Sequence, residues 1–131
     1  MSEYKDILLM AMMWGQCVES LVRDCTLKFI AKGKISPIEQ EVEKIKNIYG
    51  LGGLAHSIKP AIDAALFDRL LSFSKERNEV THRAADKYLK HIINGSPETD
   101  VEIEKCKLQE IVTVAGDLYG DFLDIHESVC N

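Results

Sequence analysis

A chain of 131 residues that is 46% hydrophobic and 28% charged can bury one sizeable core, and it reads as a single domain spanning residues 1–131. Its net charge of −5 argues against a general nucleic-acid coat, and its longest apolar run, Ile7 to Trp14, is too short to cross a bilayer. The opening Met1-Ser2-Glu3-Tyr4-Lys5-Asp6 holds no basic region leading to a cleavage site, so the expectation is a cytoplasmic protein without a membrane partner.

The first predicted element is one long helix from Glu3 to about Lys32, ended by Gly33. Ile7, Ala11, Trp14, Val18, Leu21 and Cys25 alternate by four and three, and Met10, Met13, Cys17 and Val22 widen the stripe. Ser36-Pro37-Ile38-Glu39 predicts a second start, with serine as cap, proline in the first turn and Glu39 closing a capping box. Ile38, Val42, Ile45 and Ile48 or Tyr49 then share a face until Gly50. Leu51-Gly52-Gly53-Leu54 is expected to turn, and it is no phosphate loop, because no strand precedes it and neither glycine-rich signature is present. His56 beside it reads as a boundary residue.

Lys59-Pro60 is expected to open a third helix with Ile62, Leu66, Leu70 and Phe73 inward. A break is expected within residues 72–76, where two serines and charges replace the stripe. A fourth helix then runs from about Asn78 to Ile93 and stops at Asn94-Gly95-Ser96-Pro97. Thr99-Asp100-Val101-Glu102 forms another capping box. The last helix reaches about Glu127, with Leu108, Ile111, Ala115, Leu118, Phe122 and Ile125 in heptad spacing and an acidic outer face. No strand pattern of useful length and no internal repeat appears. The fold class expected is all-α, an antiparallel up-and-down bundle of four to five helices.

Four cysteines, Cys17, Cys25, Cys106 and Cys130, lack a CxxC pair or zinc-finger histidines, so plain thiols are expected and no metal or cofactor. The first three sit among apolar neighbours on helices, where a thiol acts as a small hydrophobe. Met12 and Met13, with Tyr4 and Trp14, could leave an apolar strip that favours a dimer. Residues 96–131 hold nine acids and two lysines, whereas residues 75–95 hold five bases and three acids. That one basic window suits a small anion or a single RNA segment.

Inside the window lies Arg77-Asn78-Glu79-Val80-Thr81-His82. Continuing the seam Leu66, Leu70, Phe73 leads to Arg77, Val80 and Ala84, so an arginine stands where a helical stripe calls for an apolar side chain. A guanidinium keeps its charge and must reach water, a carboxylate or a phosphate. On regular helix Asn78 and His82 share a face while Arg77 and His82 point about 140° apart. They would converge if a helix began near Asn78, or if a second copy supplied the other half.

Arg77-Asn78, three residues and His82 resemble the signature of the HEPN superfamily, the higher eukaryotes and prokaryotes nucleotide-binding domains: arginine, a polar residue, and a histidine after four to six positions. The resemblance covers most of the chain in architecture and these six positions in residues. It implies a symmetric homodimer whose motifs face a shared cleft, and in many members metal-independent RNA cleavage. His82 would then be the general acid or base acting on a ribose 2′-hydroxyl or leaving 5′-oxygen, Arg77 the phosphate clamp, and Asn78 an orienting group. The product would be a 2′,3′-cyclic phosphate, and Lys75, Arg83 and Lys87 would be weaker phosphate contacts. A toxin or defence effector with an antitoxin or nucleotidyltransferase partner fits the resemblance; Ala84 replaces the tyrosine that such partners modify in some members. A non-catalytic module binding a nucleotide or a protein is the alternative. The residues by themselves also allow a structural role, with Arg77 paired to Glu76, Glu79 or an acid of the last helix, Asn78 as an N-cap, and His82 bonded to Asp86.

Overall fold

Three long helices carry nearly all the apolar periodicity of the chain, and their seams decide the architecture. The computed structural model describes residues 2–95 and 102–130. Helix α1 is Ser2–Ala31, α2 is Glu39–Asn47, α3 is Leu51–Ile58, α4 is Ala64–Asn94 and α5 is Glu102–Cys130, with a 3₁₀ turn at Lys59–Ala61. The chain is an all-α helical bundle, and no helix among the described residues is long and apolar enough to cross a membrane. The expected capping box at Thr99 begins outside the described residues.

Helix α1 ends as expected. Gly33 has φ 76°, and the amides of Gly33 and Lys34 bond back to the carbonyls of Ile30 and Phe29, a Schellman closure. Its buried seam differs from the expected one. Tyr4, Leu8, Ala11, Gly15, Val18, Val22, Cys25 and Phe29 are buried at alternating four and three, whereas Met10, Met13 and Cys17 are exposed. The expected stripe shares Ala11, Val18, Val22 and Cys25 with this seam and its Leu21 is buried beside it, while Ile7 and Trp14 lie to one side, only half-buried. Packing between α4 and α5 selects the frame, and periodicity alone left several neighbouring frames open. Cys106 is also exposed, so of the three thiols only Cys25, against the Phe122 carbonyl, is a core residue; none of the three is in a disulfide.

The middle of the chain departs further. Helix α2 starts at Glu39 after Ile38, and no side chain caps it, so Ser36 is not the cap. Ile45 is its one buried residue, while Ile38 and Ile48 are exposed. Residues 51–54 do not turn: they begin α3, whose Leu51, Leu54, Ala55 and Ile58 are buried at i, i+3, i+4 and i+7. That helical spacing outweighs the two glycines. One of them has a packing reason, since a Cβ on Gly53 would lie 2.7 Å from Cγ of the Tyr49 ring. His56 is exposed and sets its ring edge against Phe67, as befits a boundary residue. Pro60 sits in the 3₁₀ turn and Ile62 is extended, so the next helix opens at Ala64. Asp63 caps it by accepting from the Leu66 amide at 2.7 Å.

The expected break within residues 72–76 is absent. Helix α4 runs unbroken for 31 residues to Gly95, whose φ of 67° supplies the expected C-cap. No glycine or proline interrupts it, and Ser74 faces inward on the buried seam. Leu66, Leu70, Phe73, Val80 and Ala84 are buried as expected, as are Leu108, Ile111, Ala115, Leu118 and Phe122 of α5. Tyr4 bonds to Ala84 and Gly15 meets Arg77, so α1 and α4 are antiparallel. Lys105 pairs with Glu3 and Cys25 meets Phe122, so α1 and α5 run the same way. The short α2 and α3 pack beside the C-terminal half of α1, where the Arg23 guanidinium donates to the carbonyls of Ile45 and Tyr49 at 3.0 and 2.6 Å.

Candidate functional site: an arginine seated opposite a glycine

Each of the two four-three runs contains a residue that breaks its apolar pattern. In α1 it is Gly15, which offers no side chain; in α4 it is Arg77, which offers a charge. The antiparallel register sets them face to face. A Cβ on Gly15 would lie 2.5 Å from Arg77 Cδ and 3.1 Å from its Nη1, so the guanidinium stem occupies the space that the glycine leaves open. The Arg77 side chain retains only 16% of its exposure.

Its charge is compensated from α1. Glu19, one turn beyond Gly15, brings Oε1 to 3.6 Å from Arg77 Nη2, and its other oxygen lies 3.7 Å from Arg23. Nε and Nη2 of Arg77 also reach Asn78 Oδ1, at 3.4 and 3.3 Å. All of these distances exceed the 2.7–2.9 Å of a tight charge-assisted bond. The guanidinium is therefore held by charge and geometry without its donors being saturated. The pairings considered from sequence, Glu76, Glu79 or an acid of α5, give way to Glu19.

Asn78 and His82 lie on the exposed side of α4. Asn78 is mid-helix, so it caps nothing, and Asp86 pairs with Lys90 at 2.9 Å. One turn apart, Asn78 and His82 share a face, with Asn78 touching the guanidinium at its other end. The structure thus brings Arg77 and Asn78 into contact and leaves His82 on the outer surface one turn along. Since α4 is continuous here, no helix start near Asn78 draws Arg77 and His82 together within one copy. Along that surface Asn78, His82, Ala85, Leu89 and Ile92 repeat at four and three, with Leu89 and Ile92 more than half exposed and Ala85 half-buried. Tyr4–Ala84 and Gly15–Arg77 set the register so that Leu9, Met12 and Met13 of α1, all exposed, lie level with Asn78 to His82. Tyr4 itself is buried and Trp14 packs edge-on to Tyr119, so neither contributes to that strip.

The three weaker candidates do not form one track. Lys75 is exposed, while Arg83 and Lys87 turn toward Glu104 of α5, at 3.6 and 3.8 Å. Glu104 is buried, and its Oε2 accepts no hydrogen bond from the described residues. Burial, reinforced by the nearby Glu104 charge, pushes the Tyr4 phenol up to about 12, and its hydroxyl donates to the Ala84 carbonyl at 2.7 Å. That bond fixes the start of α1 against α4 two residues past His82. No group of metal-ligating side chains occurs among the described residues.

Gly15 and Glu19 were not picked out from sequence. The signal was present: Tyr4, Leu8, Ala11, Gly15, Val18 is an unbroken four-three run with a glycine in it, and the acid follows one turn later.

The fold and this seam define the class as a helical bundle with one partly buried, acid-supported arginine beside an exposed asparagine–histidine face. No protein-family model matches the chain, and neither a curated protein nor a solved structure matches it.

Proposed function

We propose that the chain is a HEPN-type, metal-independent endoribonuclease, a toxin or defence effector that works as a homodimer with a shared cleft. The observation that carries this reading is the seat of Arg77. A bundle has no stabilising use for a cation in the middle of a seam, yet here one helix gives up a side chain to admit it and another residue supplies a counter-charge. Local rules that fail in a coordinated way mark a site.

A guanidinium with unsaturated donors suits a phosphodiester, whose two free oxygens it contacts in a fork and whose negative charge grows as a fifth oxygen attacks. His82 lies on an apolar-flanked stripe that a second copy of α4 can cover, which would bring two imidazoles and two guanidiniums to one groove. One imidazole takes the ribose 2′-hydroxyl proton, the 2′-oxygen attacks phosphorus, and the leaving 5′-oxygen receives a proton from the other imidazole. The products are a 2′,3′-cyclic phosphate and a 5′-hydroxyl end. Water enters no bond in this step, and the atoms balance without a metal.

The test is cleavage of single-stranded RNA in EDTA by the wild type, Arg77→Ala and His82→Ala. Expected is cleavage by the wild type alone, leaving cyclic phosphate termini. Equal cleavage by all three proteins, or none by the wild type, ends the nuclease reading. The engagement of Arg83 and Lys87 by Glu104 favours a second reading, a module that binds one nucleotide or a partner protein without cutting. Its signature is nucleotide or RNA binding that Arg77→Ala weakens while no strand is cut.

A further inference from the structure

We infer that Glu19 is the positioning residue of the proposed phosphate site: it aims the Arg77 guanidinium and leaves it cationic. The inference rests on the nuclease reading for its catalytic consequence and on geometry alone for its structural one.

Glu19 stands between two arginines, at 3.6 Å from Arg77 and 3.7 Å from Arg23. The trio carries a net charge of +1, so neutralising one arginine leaves the other's charge available. The geometry decides which. Arg23 donates to two carbonyls of the α2 end, Ile45 and Tyr49, and is fixed as a structural clamp. Among the described residues the polar contacts of Arg77 are long, to Glu19 at 3.6 Å and to Asn78 Oδ1 at 3.3 and 3.4 Å. A phosphate offering shorter bonds gains more from Arg77 than from Arg23.

The side chains of both Glu19 and Arg77 are largely buried, with 18% and 16% exposure. Remove the carboxylate and the guanidinium loses the one acid that pairs with it among the described residues while remaining in a seam; it then swings toward water. Keep it, and the stem stays confined between Gly15, whose missing side chain it replaces, and the Asn78 amide. Aim is what this constraint supplies, and a displacement of about 1 Å in a clamp costs on the order of a hundredfold in rate.

The experiment uses the full chain with ¹⁵N-labelled arginine side chains, an oligouridylate as substrate, and the variants Glu19→Gln, Glu19→Asp and Arg23→Met. In the wild type the Arg77 Nε–Hε resonance should be dispersed and slow to exchange. Glu19→Gln should move it to the position of a free arginine and lower kcat on the order of a hundredfold with KM little changed. Glu19→Asp should restore part of both. Arg23→Met should lower Tm yet keep the Arg77 resonance and kcat. An Arg77 resonance unchanged in Glu19→Gln overturns the inference, as does its equal loss in Arg23→Met, which would make the effect a general loosening. A wild type that cuts nothing while its Arg77 resonance responds to Glu19→Gln refutes the nuclease reading and leaves the positioning role standing.

Discussion

Substituting Gly15→Ala puts the packing argument at greatest risk. In a helix interior alanine is better than glycine by about 0.5–1 kcal/mol, so propensity alone predicts a more stable protein. The structure predicts the reverse. The new methyl would lie 2.5 Å from Arg77 Cδ, where ordinary contact begins at 3.4 Å, so the stem must move by roughly 0.9 Å or more. Overpacking of that kind costs about 1–3 kcal/mol, which leaves a net loss of up to about 2.5 kcal/mol. In an Arg77→Ala background the obstacle is gone, and Gly15→Ala should then stabilise by its full propensity gain. A double-mutant cycle by urea unfolding measures the difference, expected at about 1–3 kcal/mol. If Gly15→Ala changes stability by the same amount in both backgrounds, Gly15 and Arg77 are not coupled and the seat does not exist. If the proposed nuclease reading holds, the same variant, folded, loses RNA cleavage, since the displacement is of the size that disables a clamp.

Three further outcomes follow from the geometry. Tyr4 is held protonated to about 12 against an ordinary 10, so between those values the unfolded chain releases a proton that the folded chain keeps. Stability should therefore be independent of Tyr4 ionisation below pH 10, then fall by about 1.4 kcal/mol per pH unit up to pH 12. Urea unfolding of the wild type and Tyr4→Phe across this range checks it, because the variant lacks that component of the fall. Glu104→Gln should release Arg83; RNA binding should tighten and the slope of log affinity against log salt should steepen by up to about 0.7, as one added phosphate contact requires. An unchanged slope would show that this cation does not meet RNA. Met13→Asp with Leu89→Asp introduces charge at two exposed apolar residues, Leu89 on the His82 stripe of α4 and Met13 of α1 at the level of Asn78 to His82. Light scattering should find the wild type dimeric and this variant monomeric and inactive, with its helical circular dichroism retained; a variant that stays dimeric places the dimer elsewhere.

The sequence alone determined the all-α class, the long first and last helices, the Gly33 and Gly95 stops, the core of α5, and Arg77 as a misfit in its own seam. These follow from interactions among residues a few positions apart: a four-three apolar run makes an amphipathic helix, and a left-handed glycine ends it. Local reasoning failed where two local rules competed, as at Gly52-Gly53, where α3 forms because its apolar spacing finds a groove to fill. It failed likewise at Ser72 and Ser74, where nothing stronger than propensity argued for a break.

What answers Arg77 was decided only by tertiary structure. Gly15 is 62 positions away in the chain, and its absent side chain acquires meaning only when antiparallel packing sets it opposite the guanidinium. Glu19 had many possible cations and Arg77 many possible acids, including Glu76 and Glu79 on its own helix. Helix pairing chose among them, because register across an interface depends on the summed fit of whole seams and no single residue encodes it.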